Sequence, residues 1–149
     1  MKNALFLCTG NYYRSRTAEE LFNHYSMQSG LGWKAFSRGL RQNMAESPNV
    51  GPISPHAVKF LDRLGIPAVG RDRMPIAFTI EDATHSDLIV AVSLAEHKPV
   101  IHERFPALTD VIRFWDIEDT HIATPDEVLP ILHHYVKSLI EELQGFSGA

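Results

Sequence analysis

Four short apolar runs, each leading through a turn into sequence with helix-start signals, constrain the fold of this chain more than any other feature. They span residues 4–7, 33–36, 87–92 and 111–115. An apolar run of this length bounded by turn residues is the pattern of a strand buried on both faces. Alternation of such strands with helices predicts an α/β domain, a four-stranded parallel sheet flanked by helices on both faces, because parallel neighbours need crossover connections and right-handed ones predominate. In sheets of this kind ligands bind outside the carboxyl ends of the strands. Cys8, Ser37, Ser93 and the segment from Trp115 to His121 are expected at that edge.

The helices between the strands are marked locally. Ala18, Leu21, Phe22 and Tyr25 recur at helical spacing, and Gly30 ends the pattern. Ser54 with Pro55 behind it is an N-cap and first-turn proline for Ala57, Phe60, Leu61 and Leu64, stopped by Gly65. Thr79 and Asp82 cap a short helix, and Ser93 and Glu96 have the spacing of a capping box, so a helix should leave the third strand. The last helix starts at Thr124-Pro-Asp-Glu127 and presents Val128, Leu132, Tyr135, Val136, Leu139 and Leu143 on one stripe. Pro130 inside it predicts either a bend or a later start.

The 149 residues suit a single domain spanning 1–149, and no apolar run approaches the roughly 20 residues of a membrane span. The start MKNALFLCTG lacks a small-residue cleavage site, so a cytoplasmic protein is expected. Lys and Arg number 14 against 18 Asp and Glu, a net charge of −4 that disfavours nucleic acid as a partner. That charge is uneven: residues 1–109 hold 12 basic and 10 acidic side chains, residues 110–149 hold 2 and 8. An anion site in the first part and an acid in the last suit this split, although most such charges are ordinary solvated surface. The chain has one cysteine, Cys8, which excludes an internal disulfide and a multi-thiolate zinc site.

Cys8-Thr-Gly-Asn-Tyr-Tyr-Arg14-Ser15 lies between the first strand and the first helix, where turn amides and a helix N-terminus converge on one point. An anion belongs there, and the same positive potential favours a nucleophilic thiolate. Arg14 has the fork geometry to bind two phosphoryl oxygens, and Ser15 can donate to the sulfur. Gly10 is expected to allow the tight turn and Asn11 to accept a left-handed conformation. The bland alternative for the same residues is a buried thiol beside an exposed arginine. Placement after the first strand, with Gly-Asn between, favours the anion site.

CTGNYYRS resembles the phosphate-binding loop C-x-G-N-x-C-R-S of the low-molecular-weight protein tyrosine phosphatases. The resemblance runs along essentially the whole chain, through Phe36-Ser-Arg-Gly39, Gly65-Ile66, Ser86-Asp-Leu-Ile89 and Ile117-Glu-Asp119. It implies a metal-independent phosphomonoester hydrolase without a cofactor, in which Cys8 attacks phosphorus and forms a phosphocysteine. Thr9, Gly10, Asn11, Tyr12, Tyr13, Arg14 and Ser15 would bind the phosphoryl group, and Asp119 would be general acid and then base, with Asp116 the alternative. The implied substrate is a phosphorylated protein or small aryl phosphate, with phosphate or vanadate as inhibitors, and neither a membrane nor nucleic acid as partner. Tyr12 occupies the loop position that faces substrate in the family, either to stack on a ring or to narrow the pocket.

Several positions depart from the family pattern. Tyr13 stands in place of the second loop cysteine, which removes a protective disulfide. Arg16 and Thr120 replace prolines, His121 replaces an aromatic wall, Ser93 an aspartate and Gly70 a histidine, so the polar contacts that support the loop are expected to be thinned. The departures keep two other functions open: arsenate reduction with an external thiol, and a phosphate-binding module without turnover. Arg38, Arg41, Arg71 and Arg73 are expected either at the pocket rim or as solvated surface, and Trp33 and Trp115 in core or rim packing. His133 and His134 point to different helix faces, which argues against a shared metal.

Overall fold

β1 (Lys2–Cys8) is flanked on both sides: β2 (Trp33–Gly39) pairs along its whole length and β3 (Leu88–Ala91) pairs with residues 4–7. β4 (Arg113–Phe114) extends the sheet beyond β3, giving the all-parallel order β2-β1-β3-β4. The computed structural model describes residues 1–147, so the last two residues of the expected domain lie outside the described residues. Side chains of β1 alternate between two buried layers, as a central parallel strand requires. Ala4, Phe6 and Cys8 join Leu21, Phe22, Leu132 and Val136 on one face; Leu5 and Leu7 join Ile89, Ile101 and Ile112 on the other.

The connections follow from the caps. α1 (Arg14–Ser29) ends at Gly30, whose φ of 65° is the left-handed conformation that glycine adopts without penalty. α2 (Pro55–Arg63) begins with the Ser54 hydroxyl accepting the His56 N–H and with Pro55 in the first turn. α3 (Ile80–Thr84) carries the complete capping box of Thr79 and Asp82. α4 (Leu94–Arg104) is capped by Ser93, which accepts the Glu96 N–H at 3.3 Å. α5 (Pro125–Ser147) covers the face of the sheet that α1 also covers. Among the described residues no helix is long and apolar enough to cross a membrane.

Two local expectations are corrected, and of the alternatives left open at Pro130 the later start is ruled out. Leu64 lies at the end of α2 and is 41% exposed, because the helix stops one residue before the apolar stripe would have continued. The strand expected over residues 111–115 shrinks to two residues, with Val111 exposed while Ile112 and Trp115 are buried. α5 starts at Pro125 and runs through Pro130 instead of starting later; Pro130 lies on its exposed side, where solvent serves the carbonyl that the proline leaves without a donor.

From β1 the chain crosses to β2 on one side and later returns to β3 on the other. The carboxyl end of β1 therefore lies at the switch point of the sheet, where a crevice opens. Gly39, paired with Cys8 at the end of β2, brings the strands close there: a Cβ would sit 2.8 Å from the Thr9 carbonyl oxygen and 3.1 Å from Asn11 Cβ.

Candidate active site

Cys8 closes β1 and Arg14 opens α1, so residues 9–13 form the turn between them. The Cys8 sulfur accepts the Asn11 N–H at 3.2 Å and lies 2.9 Å from Ser15 Oγ. Ser15 Oγ itself accepts from Asn11 Nδ2 at 3.0 Å, which leaves the serine proton for the sulfur. Asn11 has a φ of 49°, the left-handed conformation expected of it, and its side chain is saturated. Nδ2 also donates to Ser37 Oγ at 2.9 Å, while Oδ1 accepts from Ile76 N at 3.0 Å and Arg73 Nη1 at 3.2 Å. Gly10 lies in the expected turn. Its φ is not positive, and a Cβ there would meet the tip of the Asn49 side chain, Nδ2, at 2.8 Å.

Arg14 is 2% exposed and its guanidinium is held from two sides. Nη1 donates to Glu96 Oε1 at 3.1 Å and to the Ile117 carbonyl at 3.0 Å; Nη2 donates to Glu96 Oε2 at 2.8 Å and lies 3.5 Å from Asp119 Oδ2. Burial opposes the charge on Arg14, but the Glu96 hydrogen bonds and the nearby acids outweigh it and raise its pKa further. Burial likewise opposes charge on Glu96, and the bonds from His97 and Arg14 hold its carboxyl well below the usual carboxylate range. Thr9 Oγ1 also donates to Glu96 Oε2. Fully buried His97 places Nε2 2.9 Å from that same oxygen, and its Nδ1 accepts the Ser93 N–H.

A cavity of about 310 Å³ opens over Cys8 and Arg14. Gly10, Tyr12, Tyr13, Asn49, His56, Asp119 and Thr120 also line it. The Tyr12 hydroxyl donates to the Val50 carbonyl at 2.6 Å, which fixes the ring as a wall. Tyr13 packs its ring edge-on to His56, and its hydroxyl is buried without a hydrogen-bond partner among the described residues. Burial first, then the charge of Asp119, push the Tyr13 phenol up to about 12. Asp119 accepts the Thr120 N–H at 2.8 Å. Asp116 is exposed, outside the cavity lining, and pairs with Ser93 through a backbone bridge. His121 is 70% exposed, with Nδ1 3.9 Å from Asp119 Oδ2, and is not part of the wall.

Support for the loop is dense, contrary to the thinning expected from Ser93 and Gly70. Glu96, three residues beyond Ser93, reaches Arg14 and Thr9. Below the loop, buried Arg16 donates to the Pro52 and Gly70 carbonyls at 2.8 and 2.7 Å, and Glu20 accepts the Val69 and Gly70 N–H groups at 2.8 and 2.9 Å. Arg73 belongs to this layer, bonded to Asn11, Ser37 and Glu19, and not to the rim. Arg38 stacks on Phe36 and pairs with Asp82 at 3.4 Å, while Arg71 pairs with Asp62 at 3.7 Å. None of these three arginines, nor Arg41, lines the cavity.

Arg16, Glu20, Glu96, His97 and Asn49 were not singled out as site residues by sequence reasoning. Glu96 carried a signal, its capping-box spacing, which pointed to a helix start and said nothing of Arg14. Trp115 is buried and stacks on Tyr135 at 5.0 Å, and Trp33 is half-buried under Lys2. His133 bonds the Tyr25 hydroxyl at 2.7 Å while its neighbour His134 is exposed.

The sequence matches the family model described as low molecular weight phosphotyrosine protein phosphatase over residues 3–144. It is 34% identical over 108 residues to the protein-arginine-phosphatase of Bacillus subtilis (strain 168), covering 72% of this chain and 66% of that protein. The chain thus matches just under two thirds of the length of this curated relative. Among solved structures, the low molecular weight protein tyrosine phosphatase from T. tengcongensis is similar with a TM-score of 0.76 and 29% identity, over 97% of this chain and 99% of that one. The YwlE arginine phosphatase from Geobacillus stearothermophilus gives 0.77 and 25%, over 97% and 94%.

Proposed function

This chain belongs to the low molecular weight phosphotyrosine protein phosphatase family, and from that premise we propose that it hydrolyses aryl phosphomonoesters of proteins through a phosphocysteine on Cys8, as a single domain needing neither metal nor cofactor. One observation carries the reading: the Asn11 N–H and Ser15 Oγ converge on the Cys8 sulfur, with Arg14 and Asp119 beside it in one cavity. Two donors on one sulfur stabilise it as a thiolate for attack and again as the leaving group.

In the first step Cys8 Sγ forms a bond to phosphorus while the bond from phosphorus to the substrate oxygen breaks. Asp119 delivers its proton to that oxygen. The guanidinium of Arg14 and the amides of residues 9–15 bear the charge on the transferring group's remaining oxygens. Glu96 occupies the Nη1–Nη2 edge of Arg14, and the Nε–Nη2 edge is the one assigned to phosphoryl oxygens. In the second step Asp119 takes a proton from water as that water attacks phosphorus, the phosphorus–sulfur bond breaks, and inorganic phosphate is released. Phosphate and vanadate are the expected inhibitors. The proposal places the protein in the cytoplasm, where a lone reactive thiol stays reduced.

Tyr12, Tyr13 and His56 give the cavity flat walls suited to an aromatic ring. A second reading, phosphoarginine as substrate, is favoured by the identity to the Bacillus subtilis protein-arginine-phosphatase. Steady-state assays with p-nitrophenyl phosphate, a phosphotyrosine peptide and a phosphoarginine peptide, all in EDTA, separate the two. We expect turnover of the aryl phosphates that disappears in Cys8→Ser. Activity unchanged in that variant overturns the mechanism, and turnover confined to phosphoarginine overturns the aryl preference. Vanadate binding without any turnover would leave a phosphate-binding module in its place.

A further inference from the structure

Arg16 is 1% exposed, and every hydrogen bond its guanidinium makes goes to a neutral carbonyl: Asn11 at 3.4 Å, Pro52 at 2.8 Å and Gly70 at 2.7 Å. Among the described residues no carboxylate forms an ion pair with it, although the charges of Glu19 and Glu20 favour its ionisation, and a buried cation held only by carbonyls is costly, so its partners need a reason. Those carbonyls belong to three separate segments. Asn11 is in the turn that follows Cys8, Pro52 is in the loop whose Asn49 and Ser54 line the cavity, and Gly70 is in a segment held against α1 by Arg16 and Glu20.

The Asn11 carbonyl and the Tyr12 N–H are parts of one planar trans peptide and point in opposite directions. Holding the carbonyl toward Arg16 therefore turns the Tyr12 N–H away from the protein interior, toward the cavity. That N–H makes no hydrogen bond among the described residues. The Tyr12 carbonyl is fixed too, by the Ser54 N–H at 2.9 Å, so the second segment tied by Arg16 also braces the turn.

Position 70 completes the fit. Arg16 and Glu20 clamp the Gly70 peptide from its carbonyl and its N–H, and a Cβ there would crowd Glu20 Oε1 at 3.2 Å while standing in ordinary contact with Arg16 Nη2 at 3.9 Å. Residues 16 and 70 are both departures from the family pattern, and they meet in one hydrogen bond.

We propose that Arg16 is a positioning residue of the phosphate loop: it aims the Tyr12 N–H into the cradle and sets a second buried positive charge behind Cys8. This rests on reading residues 8–15 as a phosphate cradle. Burial, and next the charge of Arg73, pull Arg16 down to about 10, which still leaves it charged at neutral pH.

The test compares Arg16→Gln and Arg16→Lys with the wild-type protein by calorimetric titration of orthovanadate and by the pH dependence of Cys8 alkylation with iodoacetamide. Thermal unfolding is recorded alongside. Arg16→Gln is expected to weaken vanadate binding about tenfold or more, the loss of one charge-assisted contact, and to move the onset of alkylation to higher pH. Arg16→Lys keeps the charge but loses the fork, so it should restore the alkylation profile while binding vanadate more weakly. A merely structural arginine would lower the unfolding temperature and leave both readouts unchanged in the folded protein. That outcome in Arg16→Gln overturns the inference. Should Arg16→Gln not fold, wild-type vanadate affinity in Arg16→Lys overturns it, because one ammonium cannot span three carbonyls. Absence of vanadate binding by the wild-type protein overturns the cradle and the inference together. Binding without turnover overturns only the hydrolase reading, and the variants still decide the role of Arg16.

Discussion

Glu96 grips Arg14 through both of its oxygens, at 3.1 and 2.8 Å, across 82 residues of sequence. Arg14 is the first residue of α1 and Glu96 lies in the first turn of α4, so the starts of two helices on opposite faces of the sheet are locked together at the carboxyl edge of β1. The capping spacing of Ser93 and Glu96 is only half used as a cap. Ser93 accepts the Glu96 N–H, but the Ser93 N–H goes to His97, which frees the Glu96 carboxylate for the arginine. The orientation of the Arg14 fork is thus set by a helix start and not by the loop alone.

Glu96→Gln keeps the shape of the clamp and removes its charge. We expect kcat/KM to fall about 10- to 100-fold, as for other groups that orient a site residue, with the protein still folded. The stability effect has a definite sign. The folded-state pKa of Glu96 lies below its unfolded value, so its contribution is complete above the unfolded carboxylate value of about 4.3 and is lost as pH falls toward the folded one. Urea unfolding should find the variant less stable at neutral pH, with the gap narrowing progressively below about pH 4. A gap that widens in acid contradicts the assignment.

Asp119 and Asp116 are separated by placement: one faces Arg14 inside the cavity and the other is exposed outside it. Asp119→Asn should lower kcat for aryl phosphates about 100-fold or more, the usual range for a lost general acid. The loss should grow as the leaving phenol becomes less acidic, since a poor leaving group depends most on the proton. Asp116→Asn should leave the rates unchanged across the same series. Equal losses from the two substitutions would remove Asp119 from its proposed role.

Tyr13→Phe tests an unusual feature of the wall. The Tyr13 hydroxyl is buried without a partner among the described residues and stays protonated to about pH 12 because burial, and then Asp119, oppose its ionisation. Removing an unsatisfied buried hydroxyl is neutral or favourable, so the variant should be as stable as the wild-type protein or more stable by about 1 kcal/mol. Denaturant unfolding checks this, and a clear loss of stability would reveal a partner for the hydroxyl.

The strand and helix order, the place of Cys8 and the caps at Ser54, Thr79 and Ser93 were legible because each rests on neighbours in sequence. The left-handed Asn11 was legible for the same reason. What escaped was long-range. Arg16 read only as a replaced proline and Glu20 carried no signal, yet both are buried, because their partners Pro52, Val69 and Gly70 come from loops folded under α1. Gly70 read as a lost contact, when its backbone is held by both Arg16 and Glu20. A two-residue β4 escaped as well: its apolar run is kept for burial at Ile112 and Trp115, which no pairing period would reveal.

Cys8 stands alone, and its response to oxidants follows from that. Peroxide converts a thiolate to a sulfenic acid, which a second thiol traps as a recoverable disulfide with loss of water. Here the residue before Arg14 is Tyr13, packed against His56, and no other cysteine exists in the chain. The sulfenic acid therefore has no sulfur partner within the molecule, and a second peroxide oxidises it to the sulfinic acid with release of water, a product that dithiothreitol does not reverse. Peroxide-treated protein should recover activity with dithiothreitol only at early times, and mass spectrometry should find sulfinic acid at Cys8 as recovery fails. Glutathione added with the peroxide supplies the missing thiol and should preserve recovery through a mixed disulfide. Complete recovery with dithiothreitol after long exposure to peroxide in the absence of glutathione would mean that Cys8 is shielded by the bonds from Asn11 and Ser15 and not by exchange.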